Sequence, residues 1–356
     1  PNHPTALHNL GLIAHQVGKN NIGLELIQKA LSIKEDYAEA HSNLSVILLQ
    51  LGKTEKAQMH CQEALKINPE FANAHCNLGE IFKACDKLID AENSFLKAIQ
   101  LHPNHTEAHN NLGSIYFIKG NRSAAEKSFK KVLKIETSHA KAHNNLAFLF
   151  LEKGELKKAD KHCREALNIN SSFVEAHNTL GNISFYRGQI EEAEKSYLTA
   201  LEIAPHHTSA RENLITLLIS QGKSDDALSH CQEILRGNPN NINAQLSYAN
   251  CMNALVPPWH IAMMNDDIRN EAYLGALKSA VTKKSHIFEI GTGSGLLSMM
   301  AARCGSHHIT TCEMVPIIAK TATNIIADND LSDIITVIAK KSTNLAIGID
   351  LPKPAD

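Results

Sequence analysis

The chain has 356 residues, 43% of them hydrophobic and 20% charged, with a formal net charge of −2. That is an ordinary globular composition, long enough for two domains. It excludes the basic excess that nucleic acid or an anionic membrane surface selects, and no apolar run approaches the ~20 residues of a membrane span.

No signal-peptide pattern opens the chain. It begins at Pro1 rather than Met and is expected to be a piece of a longer protein. Eight cysteines are scattered with no CxxC pair, so a disulfide framework is not expected and a reducing cytoplasm is. Cys61, Cys163 and Cys231 fall at one recurring position that holds Phe95, Phe129 and Tyr197 elsewhere. They read as small core hydrophobes.

From Pro4 to Asn241 the sequence repeats at a period of 34. Ala40, Ala74, Ala108, Ala142 and Ala176 are evenly spaced, and four residues on stand Leu44, Leu78, Leu112, Leu146 and Leu180. Gly18, Gly52, Gly120, Gly154, Gly188 and Gly222 mark a turn, with Asp86 once in place of the glycine. Pro69, Pro103, Pro205 and Pro239 close four of the units. This is the tetratricopeptide pattern. Each unit is two helices joined at the glycine, with alanines where they approach. One pair cannot bury its apolar faces alone, so the pairs stack into a superhelix with a concave wall. The register gives seven repeats, 4–37, 38–71, 72–105, 106–139, 140–173, 174–207 and 208–241. A last helix, Ile242 to about Leu255, caps them.

Two polar positions recur inside the repeats. His41, His75, His109, His143 and His177 are expected to pack. Neighbouring units stand ~10 Å or more apart, too far to share a metal at ~2 Å, so no metal site is expected. Asn9, Asn43, Asn77, Asn111, Asn145 and Asn213 precede the anchor leucine, with Thr179 as the exception. Asparagine is a poor helix former, so its repetition needs a reason. The pattern A-H-x-N-L-G resembles the repeats of O-linked N-acetylglucosamine transferases. There the matching asparagines line the concave surface and grip an extended peptide's backbone. The resemblance implies the same role for these six, and an amide offers donor and acceptor together. The partner is then a protein or peptide bound extended along the concave surface.

Val256-Pro257-Pro258 breaks the helical pattern and begins a linker. Farther on, Ile287-Phe288-Glu289-Ile290 reads as a buried parallel strand. Gly291-Thr292-Gly293-Ser294-Gly295 follows, then a helix from Leu296 to Cys304 closed by Gly305. Strand, glycine turn and helix open a nucleotide-type α/β fold whose ligand sits at the strand's carboxyl end. A second strand, Ile309 to Cys312, ends in Glu313, placed to accept both ribose hydroxyls of an adenosine ligand. The turn lacks the third spacing of G-x-G-x-x-G and holds no basic residue for a pyrophosphate. A nucleoside without phosphates is favoured, and S-adenosylmethionine is the common one.

The run from Trp259 to Tyr273 resembles the segment upstream of the cofactor site in protein arginine methyltransferases, H-x-x-M-L-x-D-x-x-R-x-x-x-Y. His260, Met263, Asp266, Arg269 and Tyr273 match, and Met264 replaces the leucine. The resemblance covers about a hundred residues, Trp259 to Asp356. It places His260 and Met263 at the cofactor, pairs Arg269 with the methionine carboxylate, and gives Gly291, Gly293 and Gly295 the methionine part. Glu289 stands where the family usually has Asp. Glu313 holds the ribose. Lys341 and Ser342, after a third strand (Ile334 to Ile338), border the adenine, although Thr343 stands where the family often has Glu.

The fold class that results is an α-solenoid, a tetratricopeptide superhelix over 4–255, followed by an incomplete α/β Rossmann-like methyltransferase domain over 256–356. By the resemblance, a loop with two glutamates that holds the target guanidinium lies beyond Asp356. No catalytic residue is therefore assigned here, and the 356 residues alone are expected to be inactive. The reaction implied is methyl transfer from a sulfonium to an arginine nitrogen of a protein substrate, and family members usually form homodimers. The alternatives are a methyltransferase acting on another nucleophile, and a tetratricopeptide scaffold whose cofactor fold is vestigial.

Overall fold

The computed structural model describes residues 3–256, 259–351 and 355, with the backbone alone at 259–261. Pro257 and Pro258 of the expected linker lie outside the described residues, as do Pro352, Lys353, Pro354 and Asp356. The chain divides into two compact units, Pro1–Pro205 and His206–Asp356. The helical repeat itself runs on into the second.

The first unit is six helix pairs. They are α1 (Pro4–Gln16) with α2 (Asn20–Ile33), α3 (Ala38–Gln50) with α4 (Thr54–Ile67), and α5 (Ala72–Ala84) with α6 (Leu88–Leu101). Then come α7 (Thr106–Ile118) with α8 (Arg122–Ile135), α9 (Ala140–Glu152) with α10 (Leu156–Ile169), and α11 (Val174–Tyr186) with α12 (Ile190–Ile203). Every odd helix starts at the first residue of a 34-residue repeat. Each odd helix also contacts the next odd one, α3 on α5, α5 on α7, α7 on α9 and α9 on α11. That is the packing that sets one helix of every pair on the inner wall of a solenoid.

The turn within each pair follows from backbone sterics. Gly18, Gly52, Gly120, Gly154 and Gly188 all have φ between 70° and 77°, and Asp86 holds the same left-handed region at 57°. At the third repeat the Asp86 amide donates to Lys83 O and the Lys87 amide to Phe82 O, both 2.9–3.0 Å. These two bonds satisfy the carbonyls at a helix C-terminus, as a glycine would allow without strain. The helices then meet through alanine: Ala40, Ala74, Ala108, Ala142 and Ala176 are fully buried, as are Ala57, Ala91, Ala125, Ala159 and Ala193. Leu44, Leu112, Leu146 and Leu180 are buried as expected, while Leu10 in the first pair is 52% exposed.

The core positions sixteen residues apart compensate for one another in volume. Gly79, Gly113 and Gly181 lie under Phe95, Phe129 and Tyr197. Where the ring becomes Cys61 or Cys163, the small residue becomes Ser45 or Ala147. The Cys61 and Cys163 thiols donate to Ala74 O and Ala176 O at 3.1 Å, and burial pushes both up to about 12. All eight cysteines are free thiols.

The histidine row ties each pair to the turn before it. His41, His75, His109, His143 and His177 each set Nε2 against the carbonyl six residues earlier, at 2.9–3.2 Å. A carbonyl only accepts, so Nε2 carries the proton and Nδ1 is left as an acceptor. His41 Nδ1 then meets His60 Nδ1 at 2.9 Å, and His143 Nδ1 meets His162 Nδ1 at 3.0 Å. Among the described residues, no three or more His, Cys, Asp or Glu side chains come together as metal ligands.

The second unit holds a seventh pair, α13 (Thr208–Ser220) with α14 (Ser224–Gly237), and α15 (Ile242–Leu255) packed on α14. After these come α16 (Trp259–Met264) and α17 (Asp267–Ala280). The remainder is β1 (His286–Ile290), α18 (Leu296–Arg303), β2 (His308–Cys312), α19 (Pro316–Asp328), β3 (Ile335–Ile338) and a short 3-10 turn, Ser342–Asn344. The three strands are parallel in the order β1-β2-β3. Their core is Met299, Ala301, Ile309, Ile326 and Ile335, with Leu277 of α17 packed against it. No helix among the described residues is long and apolar enough to cross a membrane.

Candidate functional site at the carboxyl edge of the sheet

A parallel sheet puts the carboxyl ends of all its strands along one edge. Ile290, Cys312 and Ile338 pair across it in register. The glycine turn after β1, Glu313 after β2 and the Lys341-Ser342 turn after β3 therefore share that edge.

The glycine turn folds back over β2. The Gly291 and Thr292 amides both donate to Cys312 O, at 2.9 and 3.2 Å. Gly291, Gly293 and Gly295 all have positive φ, at 76°, 55° and 82°. A Cβ at Gly291 would meet nothing within 4 Å, so this glycine serves the turn and leaves open space above it. At Gly295 a Cβ would stand 3.1 Å from Ile326 Cδ1, so the third glycine lets α18 start close to α19.

Glu313 is 8% exposed and turned into this loop. Its Oε2 accepts from the Gly293 amide at 3.3 Å and its Oε1 from the Val315 amide at 3.0 Å. Each carboxylate oxygen thus takes one backbone amide and has capacity for a further donor.

Glu289 faces a different set of groups. Its Oε2 accepts from Ser298 Oγ, from Thr292 Oγ1 at 3.3 Å and from Thr311 Oγ1 at 3.3 Å. Burial raises its carboxyl above the usual carboxylate range, opposed by those three hydroxyls. Thr311 is its partner across β2 in register. The carboxylate thereby ties β1, the turn and α18 together. Thr292, Ser298 and Thr311 were not singled out by sequence reading. The legible sign was the density of hydroxyl residues around one buried acid.

The upstream segment is two helices. Asp266 caps α17, its side chain accepting from the Arg269 amide at 3.0 Å. Asn270 Nδ2 donates to Met264 O at 2.8 Å. The Arg269 guanidinium donates toward Met263 O at 3.4 Å and lies 4.9 Å from the Tyr273 ring centroid. Four members of the recognised pattern, Met263, Asp266, Arg269 and Tyr273, thus meet in one corner. The His260 side chain lies outside the described residues. Lys341 is exposed and Ser342 half-buried at the third strand's end. Beside them Lys340 Nζ pairs with Asp350 Oδ1 at 2.6 Å.

The asparagine series is engaged between repeats. Asn43 Nδ2 meets His8 Nε2 at 2.9 Å, Asn77 donates to Ser42 Oγ at 2.9 Å, and Asn145 to Asn110 Oδ1 at 2.9 Å. Asn111 donates to Glu80 Oε1 at 2.7 Å. Asn9 is exposed and Asn213 half-buried. In these four the donor half of the amide already staples one repeat to the previous one.

Comparison with known proteins agrees with both parts. Residues 72–105, 106–139, 140–173 and 174–207 match the family described as Tetratricopeptide repeat, window for window with the repeats above, and 46–86 match TPR repeat. Residues 271–351 match Ribosomal protein L11 methyltransferase (PrmA). The chain is 48% identical over 101 residues to "Arginine N(omega)-methyltransferase" of Streptomyces achromogenes subsp. streptozoticus, covering 28% of each chain. It is 38% identical over 100 residues to "Protein arginine N-methyltransferase 7" of Drosophila ananassae, covering 26% of this chain and 14% of that one. To "Protein arginine N-methyltransferase 9" of Homo sapiens it is 31% identical over 133 residues, 37% of this chain and 16% of the relative. The chain thus spans under a third of the length of these relatives. Among solved structures, "Crystal structure of APC/C hetero-tetramer Cut9-Hcn1" superposes with a TM-score of 0.62 at 16% identity, over 67% of this chain and 47% of that one. A tetratricopeptide repeat protein from Parabacteroides merdae gives 0.56 at 15%, over 70% and 99%. At such identities these two show the fold alone.

Proposed function

We propose that this chain of tetratricopeptide repeats and a methyltransferase-like segment belongs to an S-adenosylmethionine-dependent protein arginine methyltransferase. In it the repeat arm, 4–255, presents protein partners to the catalytic segment that opens at 256. The observation that carries the reading is Glu313. It is a nearly buried carboxylate at the end of β2, aimed at the amide of Gly293 with lone pairs to spare.

The residues present fit the cofactor. Gly291 leaves space where any side chain would stand. Glu313 would accept the ribose hydroxyls, and the exposed Lys341 and half-buried Ser342 would border the adenine. Arg269 would pair with the methionine carboxylate in a charged contact, with His260 and Met263 beside it. Glu289, held by three hydroxyls, supports the turn from below. S-adenosylmethionine, once bound, supplies an activated methyl group on a sulfonium.

The chain is proposed to bind the cofactor at this edge, and no arginine-holding carboxylate is assigned among its residues. The asparagines on the odd helices, Asn9, Asn43, Asn77, Asn111, Asn145 and Asn213, are proposed as a polar wall for an extended peptide. Eight free thiols favour a cytoplasmic setting, and a homodimer of the longer protein belongs to the same proposal. Titration of S-adenosylmethionine against Glu313 and Arg269 variants tests the reading.

A further inference from the structure

Two of the recurring histidines have a partner that the spacing between repeats does not show. It lies on the second helix of the same pair, 19 residues on: His60 for His41 and His162 for His143. The third, fourth and sixth repeats hold Ser94, Ser128 and Ser196 at that position. His41 Nε2 donates to Glu35 O at 3.1 Å, so its Nδ1 lone pair meets His60 Nδ1, 2.9 Å away. A neutral imidazole whose far nitrogen donates to a backbone carbonyl is the form in which histidine ligates a metal.

The two pairs share their geometry and differ in their surroundings. His41 and His60 line a groove of about 430 Å³ together with Gln28, Glu35 and Glu63. Three repeats on, Lys130 replaces Gln28 and Thr137 replaces Glu35, and each exchange adds one positive charge. Burial lowers both His60 and His162. Beyond burial and the facing histidine, His162 feels Lys161 and Lys130 against Glu165, while His60 feels Glu63 against Lys56. The His162 ring is also stacked on Phe150, with centroids 5.6 Å apart, where the second repeat has Leu48. The second repeat therefore offers two converging imidazole nitrogens in an acidic groove, and the fifth offers them in a basic one.

We propose that His41 and His60 bind a divalent transition-metal ion such as zinc through their two Nδ1 atoms, with water in the remaining positions and Glu35 and Glu63 supplying a negative field. Imidazole suits zinc, copper and nickel, whereas magnesium and calcium take oxygen ligands. Zn–N bonds of ~2.0–2.1 Å at a tetrahedral angle set two nitrogens about 3.3 Å apart, so the rings open by about 0.4 Å from their hydrogen-bonded spacing. The proton between them leaves His60 Nδ1 for solvent, and one returns from solvent at His60 Nε2, so both rings stay neutral. The ion then joins α3 to α4, and the bond from His41 to Glu35 O carries that tie to the end of α2.

The test is calorimetric titration of zinc chloride into the full chain, stripped beforehand with a chelator, beside His60→Ser and His162→Ser. Both variants copy the serine that other repeats carry at this position, so both keep the fold. Wild type binds zinc saturably. His60→Ser weakens binding by about tenfold or more, as loss of a ligand requires, and His162→Ser leaves it unchanged. His41→Arg copies Arg211, which faces His230 Nδ1 at 3.1 Å in the seventh pair. It sets a cation in the site and abolishes binding. Zinc raises the thermal midpoint of wild type and not that of His60→Ser, and magnesium chloride does neither. Zinc binding that survives His60→Ser, binding that falls as far with His162→Ser, or no saturable binding overturns the proposal.

Discussion

Gly113 lies so close to the ring of Phe129 that a Cβ on the glycine would stand 2.6 Å from Phe129 Cε1. The two are sixteen residues apart on paired helices, and the fifth repeat solves the same contact with Ala147 and Cys163, both fully buried. Gly113→Ala is therefore predicted to destabilise by about 1–3 kcal/mol through overpacking. Phe129→Cys alone leaves a cavity and costs about as much or more. The double variant copies the fifth repeat. In denaturant titrations it is predicted to be more stable than the sum of the two losses allows, by about 1 kcal/mol or more. Strict additivity would show that the two positions are not coupled.

Asp86 is the one member of the turn series that is not glycine, and it holds φ at 57° while exposed to solvent. Asp86→Gly removes the left-handed penalty without removing a buried contact. The predicted gain is about 0.5 kcal/mol or somewhat more, read as a raised thermal midpoint. Gly120→Ala, with φ at 76° and open space around the missing Cβ, is predicted to lose about 1 kcal/mol from backbone strain alone.

The His143–His162 pair makes stability depend on pH. Burial lowers His162 to about 4 from its ordinary 6.5, and His143, Lys161 and Lys130 push the same way while Glu165 opposes them. The folded state thus binds fewer protons than the unfolded one between those values. The contribution is full above pH 6.5 and is lost as pH falls toward about 4. His162→Asn keeps a donor for His143 Nδ1 and no longer titrates. The unfolding midpoint of this variant is predicted to fall less steeply than wild type across that window. Parallel curves would show that the pair does not carry the slope.

Much of this structure was legible because each repeat meets the same neighbours. Helix starts at 38, 72, 106 and 140 follow from the alanine and glycine spacing, and the three positive-φ glycines after β1 follow from G-x-G-x-G. The glycine-to-ring pairing was written in the chain as well, but only in two positions read together. Inspection of the Cys61 position alone shows a size change without its cause. The asparagine staples were not legible, since their partners sit at a spacing of 35 and differ in kind: His8, Ser42 and Asn110. Asp266 appeared only as a member of a family pattern, although a capping aspartate three residues before Arg269 has a local reason of its own. The inward turn of Glu289 depends on Thr311 across the sheet, a pairing that strand alternation does not reveal.

The central claim is that the carboxyl edge of the sheet binds S-adenosylmethionine. Calorimetric titration of the cofactor into the chain, beside Glu313→Ala and Arg269→Ala, tests it most directly. The account predicts saturable binding that each substitution weakens by about tenfold or more, the loss expected from one charged hydrogen-bonding group. Absence of binding by a folded protein, or binding indifferent to Glu313, would contradict it and leave the repeat arm as the working part of the chain.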